Sequence, residues 1–581
     1  MAELWEQFRR RRIVQIALAY VAVGWAILEG LDFLRGTFDW PVVIVRVATI
    51  LVVTGLFVAL VVSWFHGEKG HQRAPPVEIV LIALLVVAGL GASVTVMLQM
   101  PATQTAEEPV PQGAPVAELK EGWVGVLPFT NLSGDPDQDF FAAGMTLEIN
   151  TALGSLGGLR VISWGSTAQF AERQGLEWRQ IAGRLGVASL VDGSVRISGD
   201  ALRVNAQLVD ARTGEQLWAA QYDETLSAAA VFEIQTDVAR RVAIAVMSTA
   251  DSALSYDRRP TDNLEAYQAY LQGLHAFQGA DPSGLTTAMV WLDRALELDP
   301  GFALAHAAYA DVWLASAHFG TPPHLAFPNG LAAARRALEL DPELGDAHVV
   351  LADVLFHYEW DWAGAEREFL RGQVLGSAFS TTHWWYAGLL SALGRHEEAI
   401  AEVEMARSLD PLSPIGHAFA GQVYAYAGRY DEGEAALERA LELNPAAAFA
   451  HANKAVLLHA AGRPLEAVDA AREAARLAPG PNLGVLAALQ AYAGEAEEAR
   501  LTLSRLEALA GGLGDDRYVP PYTIAPAYVA LGDLDRALDL LEESAELRDA
   551  ALIWVDVNPM FDPLRAEPRY VALIQRMGLG G

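Results

Sequence analysis

The sequence predicts a multidomain chain: a three-helix transmembrane anchor, a small α/β sandwich domain, and an all-α superhelix of stacked helix pairs. Three observations carry this. Three long apolar stretches fall within the first hundred of 581 residues. Strand-period and helix-period segments alternate between residues 122 and 250. Beyond residue 263 one helix ending recurs: Ala-Leu-Glu-Leu-Asp-Pro at Pro300 and Pro342, Ala-Arg-Ser-Leu-Asp-Pro at Pro411, Ala-Leu-Glu-Leu-Asn-Pro at Pro445 and Ala-Arg-Leu-Ala-Pro at Pro479. The last three prolines are 34 residues apart.

The anchor is read over 1–100. Stretches 13–28, 47–65 and 79–100 carry no charge, and a helix needs about 20 apolar residues to cross a bilayer core. Arg9 to Arg12 precede the first stretch, and Lys69 and Arg73 separate the second from the third. Positive charge favours the cytoplasmic side. The N-terminus is therefore expected in the cytoplasm of a bacterial inner-membrane, multi-pass protein, with everything after residue 100 in the periplasm. Glu29 and Arg46 sit near the outer ends of the first two stretches and form a candidate intramembrane ion pair. An anchoring pair is the plain reading; a signal-transmitting pair is the other. Gly89 and Gly91, beside Ala88 and Ala92, give the third stretch a small-residue packing face. His66, Glu68 and His71 read as solvated loop residues rather than metal ligands.

Residues 101–121 are rich in Pro, Ala, Thr, Gln and Glu and read as a flexible linker. The α/β domain is placed at 122–250. It opens with a strand at 123–129 and a helix at about 137–156, where Phe140, Phe141, Met145, Ile149 and Leu153 recur at helical spacing. A strand at 159–162 and a helix at 178–185 follow. Strands at 189–197 and 201–209 are joined by the turn Ser198-Gly199-Asp200. A strand at 216–222 and a helix at 228–247 close the domain. Asp135 or Asp137 is expected to cap the first helix; a ligand loop at 133–137 is the alternative.

The helix pairs are placed at 263–547, between a linker at 251–262 and a C-terminal cap at 548–581. In the repeat ending at Pro445, a first helix over 414–427 is broken by Gly428 and a second over 430–443 is stopped by Pro445. Small residues (Gly421, Gly433, Ala440) alternate with large ones (Tyr424, Leu437, Leu441). One pair cannot bury its apolar stripe alone, so pairs must stack. Gly394-Arg395, Gly428-Arg429 and Gly462-Arg463 keep the same beat, and Gly494 and Gly532 continue it. Ser377 stands 34 residues before Pro411, in the proline position. The 42-residue interval from Pro300 to Pro342 predicts a longer inter-helix loop near 320–324, and seven or eight pairs fit the whole stretch. Trp360, Trp362, Trp384 and Trp385 fall at helix junctions and are the candidate partner-binding residues. The period and the small–large alternation resemble the tetratricopeptide repeat.

A second resemblance lies upstream. Val-Leu-Pro-Phe-Thr-Asn-Leu-Ser-Gly-Asp-Pro at 126–136, Phe-Phe-Ala-Ala-Gly at 140–144, Asp192-Gly-Ser-Val-Arg-Ile-Ser-Gly-Asp200, and Leu217-Trp218 with Tyr222-Asp223 resemble the TolB-like amino-terminal domain that many bacterial proteins join to tetratricopeptide repeats. The arginine run, the segment from Ala19 to Trp25, and the Asn558 to Leu564 and Arg576 to Leu579 segments resemble the same family at its ends. Relatives carry a winged-helix DNA-binding module, as in CadC-like sensors, or a class III adenylate cyclase module before the membrane segment. Only eight residues precede the arginine run, so neither output is expected here.

The net charge is −31, and all of it lies beyond residue 100, since the first hundred residues sum to +1. Such a part repels phosphate backbones, so no nucleic-acid partner is expected. The absence of cysteine excludes disulfides and thiol catalysis. Lys69, Lys120 and Lys454 are the only lysines, and none sits in a phosphate loop. No catalytic, cofactor or metal residues are assigned. The function expected is a non-enzymatic, membrane-anchored scaffold that binds a protein or peptide partner in the superhelix groove. The alternative is a sensor relaying an extracytoplasmic signal to a separate cytoplasmic protein. The sequence leaves the oligomeric state open.

Overall fold

A computed structural model of the chain describes Tyr20, Val23 and residues 42–66, 119–156, 158–171, 176–247, 259–277, 282–376, 380–511 and 519–580. It divides into two units, Met1–Pro115 and Val116–Gly581.

In the first unit the described secondary structure centres on one helix, α1 (Val42–His66). No helix among the described residues is long and apolar enough to cross a membrane. The three-helix transmembrane anchor and the multi-pass inner-membrane localisation drawn from it are therefore corrected. The stretches 13–28 (apart from Tyr20 and Val23) and 79–100, the linker up to 118, Glu29, Glu68 and His71 lie outside the described residues, as do the side chains of Arg46 and His66 on α1.

The second unit begins with a six-stranded mixed sheet. Its strands are β1 (Lys120–Val126), β2 (Thr130–Asn131), β3 (Arg160–Val161), β4 (Val187–Ser198), β5 (Ala201–Asp210) and β6 (Gln216–Thr225). The order is β3-β1-β4-β5-β6, with β2 beside β4. β1 runs parallel to β3 and β4, and β4-β5-β6 form an antiparallel meander. β5 shows the period of two that a half-covered sheet demands: Leu202, Val204, Ala206 and Leu208 point inward, Arg203, Asn205 and Gln207 outward. Helix α2 (Asp139–Ser155) packs on the inner face through Phe141, Met145, Ile149 and Leu153. A short helix α3 (Trp164–Thr167) and α4 (Trp178–Leu185) follow β3, and α5 (Ala228–Met247) closes the inner face beside α2. The Asp135 side chain accepts from the Asp137 amide, capping the 3₁₀ turn before α2, so the loop at 133–137 works as a cap.

Eight helix pairs follow: α6 (Leu264–Phe277) with α7 (Pro282–Leu298), α8 (Ala303–His318) with α9 (Pro323–Leu340), α10 (Gly345–Val354) with α11 (Trp362–Val374), and α12 (Ser380–Ala392) with α13 (His396–Leu409). Then come α14 (Pro414–Tyr426) with α15 (Tyr430–Leu443), α16 (Ala448–Ala460) with α17 (Pro464–Leu477), α18 (Pro479–Tyr492) with α19 (Ala496–Gly511), and α20 (Pro521–Leu531) with α21 (Leu534–Leu547). Gly394, Gly428, Gly462, Gly494 and Gly532 all take φ between 71° and 88° at the turn inside a pair, where a side chain would be strained. After Gly394 and Gly462 an arginine ties pairs together. Arg395 bridges Glu398 and, in the preceding pair, Glu366; Arg463 does the same with Glu466 and Glu434. A histidine one turn into the first helix bonds the carbonyl of the punctuating proline: His306 to Pro300, His348 to Pro342, His417 to Pro411 and His451 to Pro445. The 42-residue interval does not hold a long loop. Its extra residues lengthen α8 and α9 to 16 and 18, against 13 and 14 in α14 and α15.

The chain then runs through 3₁₀ turns at Ala550–Trp554 and Pro559–Leu564 into a last helix, α22 (Pro568–Met577).

Close approach sets the most sensitive positions. A Cβ on Gly484 of α18 would run into the Thr523 carbonyl of α20, a backbone atom that cannot step aside. Gly428 has open space and only its φ of +73° to satisfy. Gly484→Ala should cost about 3 kcal/mol in denaturant titrations, and Gly428→Ala about 1 kcal/mol.

Candidate functional site

The first helices of the pairs share one face, and two other parts of the chain lie on it. The C-terminal segment crosses it from the last pair back to the third. Trp554 packs edge-on against Phe356 and Phe419, at 6.3 and 6.2 Å between ring centres, and against Tyr426 at 5.8 Å. The Trp362 indole donates to the Met577 carbonyl at 2.7 Å, and the Tyr492 hydroxyl to the Met560 carbonyl at 3.1 Å. Asn558 donates to the Tyr522 hydroxyl at 2.9 Å. The Arg548 guanidinium lies 3.8 Å from the centre of the Trp360 ring, a cation–π contact. The array thus holds a peptide segment of its own through aromatic side chains and backbone carbonyls.

Helix α2 covers the other end. Tyr270 of α6 donates to Glu148 of α2 at 3.2 Å, and Gln235 of α5 to the Tyr267 hydroxyl at 2.8 Å. A second docking point lies farther along. The Ser163 amide donates to the Leu409 carbonyl at 2.7 Å, and the Leu412 amide to the Ser166 hydroxyl at 2.9 Å. Asp410, the aspartate of a Leu-Asp-Pro ending, accepts from the Ser166 hydroxyl at 2.5 Å and the Ser380 hydroxyl at 3.4 Å. Burial pushes its carboxyl up to about 6, against the opposing pull of those hydroxyls.

Beside α2 lies a cavity of about 300 Å³, at the lower limit of small-ligand pockets. Its walls come from α2 and from the first helices of pairs one to four, α6, α8, α10 and α12. Leu274, Leu304, Leu314 and Val349 are among its apolar walls; Glu148, Asp311, Asp346, Asp353 and His318 are its titratable groups besides Tyr270. Among the described residues no lysine or arginine lines it. Asp311 is exposed to solvent within the cavity, and the protein crowded around it, with Asp353 and Asp346 nearby, raises its carboxyl. The His318 ring, also exposed, stacks on Trp385 at 5.5 Å, and the surrounding protein, with His357 beside it, lowers its imidazole.

The four tryptophans fall into two sets. Trp384 and Trp385 line the cavity; Trp360 and Trp362 lie under the tail. The acids were not singled out from sequence, although a signal exists: Asp311 and Asp353 each stand eleven residues after their proline, Pro300 and Pro342. Among the described residues no group of His, Cys, Asp or Glu has the arrangement to hold a metal ion.

Comparison with known proteins agrees on the repeat. A family model described as tetratricopeptide repeat matches residues 417–446, which span α14 and α15. A curated relative, "Putative adenylate cyclase 3" of Rhizobium meliloti (strain 1021), is 35% identical over 215 residues, 36% of this chain and 36% of the relative. The chain thus spans about a third of that relative's length. Among solved structures, YrrB, a TPR protein with an unusual peptide-binding site, is 20% identical over 32% of this chain and 92% of its own, with a TM-score of 0.24. PilF of Pseudomonas aeruginosa is 22% identical over 35% and 93%, at 0.27. A human IFIT1 dimer with m7Gppp-AAAA is 16% identical over 55% and 80%, at 0.39. At such scores these likenesses carry no argument about function.

Two expectations follow. Trp554→Ala should lower stability by about 2 kcal/mol, since the indole is half-buried, and open the tail to trypsin at Arg565 and Arg569, read by limited proteolysis. The Asp410 carboxyl binds its proton more tightly folded than unfolded, so its contribution grows as pH falls through 6 and levels off below 4. Wild type should therefore gain on Asp410→Asn between pH 7.5 and 5, by about 1.4 kcal/mol in paired denaturation curves.

Proposed function

We propose that this chain is a non-enzymatic protein-interaction scaffold that binds an extended segment of a partner on the first-helix face, in the part bounded by α2 and the tail. The observation that carries this reading is the tail itself. Trp362 and Tyr492 already hold peptide carbonyls at 577 and 560, so the face has the chemistry of a peptide groove. Trp384 and Trp385 extend that aromatic surface into the cavity. The groove is assembled before any ligand arrives, which spares a partner the cost of ordering it. The α/β unit, read as TolB-like from its motifs, serves as the wall that ends the groove. A cavity without basic residues in a chain of net charge −31 favours protein over nucleic acid as partner.

Panning a random peptide library against the intact chain tests this. Enriched peptides should slow backbone hydrogen exchange in α8, α10 and α12. Protection confined to the open sheet face around Asp192 and Gln207, or no enrichment at all, would count against it.

A further inference from the structure

We propose that the free edge of β6 is a self-association surface: β6 of a second copy of this chain adds to it as an antiparallel strand, about a two-fold axis at Ala220. The proposal is independent of the groove on the first helices.

The first ground is what the sheet leaves open. Its order ends on β6, which pairs with β5 on one side. Among the described residues no other backbone hydrogen bond reaches residues 216–225. Such an edge presents a row of N–H and C=O groups that a further strand can pair. At the opposite edge β3 has two residues, whereas β6 has ten. Exposed edges are commonly blunted by short length, proline or lysine. β6 has neither proline nor lysine, and Leu217 to Tyr222 carries no charge.

The second ground is which strand fits. With the axis at Ala220, Trp218 of one copy faces Tyr222 of the other on the inner face, and the pair occurs twice by symmetry. Both side chains are half-buried against the core. Ala220 faces Ala220 between them and leaves the rings room. On the outer face Ala219 faces Gln221 and Leu217 faces Asp223, and at the ends Gln216 faces Glu224. Aromatic pairs opposite one another stabilise a sheet, and like charges in that position destabilise it. Here no acid faces an acid, and Asp223 is already held within its own copy by Arg203 and Gln221. Moving the axis to Ala219 would set Trp218 against Ala220 and lose both aromatic pairs. Moving it to Asp223 would set acid against acid. The register that satisfies every position is thus one that β6 makes with itself.

The third ground is closure. Two copies joined through β6 use up both long edges, and the two-residue β3 offers no further strand, so assembly stops at two. Each copy carries a net charge of −31, so the copies repel at long range and added salt should strengthen their association. A basic strand of another protein on the same edge would show the opposite salt dependence.

Sedimentation velocity on the full chain tests this, at loadings from about 1 to 100 μM. A dimer should grow with loading and with salt between roughly 0.05 and 0.5 M. Ala219→Glu with Gln221→Glu sets acids opposite one another and should weaken the dimer about tenfold or more, while Ala219→Glu with Gln221→Lys sets opposite charges face to face and should restore it. Both positions are exposed, and circular dichroism checks that each variant folds. The chain has no cysteine. Ala220→Cys should therefore give a disulfide-linked dimer on oxidation, since residues opposite one another in an antiparallel pair have Cα atoms about 4.5–5.5 Å apart. Ala219→Cys, displaced from its counterpart along the strand, should cross-link far more slowly. A monomer at every loading would overturn the second copy as occupant; if that monomer bound acetyl-Lys-Val-Thr-Val-Lys-Val-amide, the edge would belong to a basic strand of another protein. A dimer that the two glutamate substitutions leave unchanged, or that cross-links equally through either cysteine, would lie elsewhere on the chain and overturn the proposal as well.

Discussion

A stacked array of helix pairs buries each second helix against its neighbours but leaves the first helices with an apolar face that no pair can cover for itself. Everything distinctive in this chain answers that constraint. One end of the face is covered by α2 of the α/β unit, through contacts such as Gly144 against Leu271, where the missing Cβ lets the helices close. The other end is covered by the chain's last thirty or so residues, with Trp554 set among Phe356, Phe419 and Tyr426. The cavity opens beside α2, among the first helices of pairs one to four.

The cavity is also where the structure accepts an unfavourable arrangement. Asp311, Asp346 and Asp353 face the same small space, and the Asp311 carboxyl is raised by the protein crowded around it and by its neighbours. Several acids elsewhere in the array are paired with arginine: Glu398 and Glu366 with Arg395, Glu466 and Glu434 with Arg463, Glu542 with Arg569.

The helix pairs were legible in the sequence because their punctuation is local physics. Glycines with positive φ and prolines that stop a helix act within a few residues, so the bounds of α14 and α15 could be read from Pro414, Gly428 and Pro445. The strand alternation of β5 was readable for the same reason, whereas β4, expected to alternate, is buried at each of its first six positions. The span between Pro300 and Pro342 was misread as a loop, because an interval says how many residues intervene and not whether they lengthen helices. The apolar stretches before residue 100 suggested membrane crossings from composition alone, and no described helix meets that requirement. The path of the tail, the docking through Asp410 and the convergence of the acids are contacts between residues far apart in sequence, which periodicity does not encode. Only the shared offset of Asp311 and Asp353 from their prolines carried a trace of the site.

The most direct test of a groove occupied by its own tail is a distance across it. The chain has no cysteine, so spin labels can be placed at Leu370→Cys on the outer side of α11 and Arg576→Cys on α22 without background, both sites being exposed. Double electron–electron resonance should give one narrow distance, unchanged on dilution. A broad distribution reaching long distances would mean that the tail does not rest on the first helices.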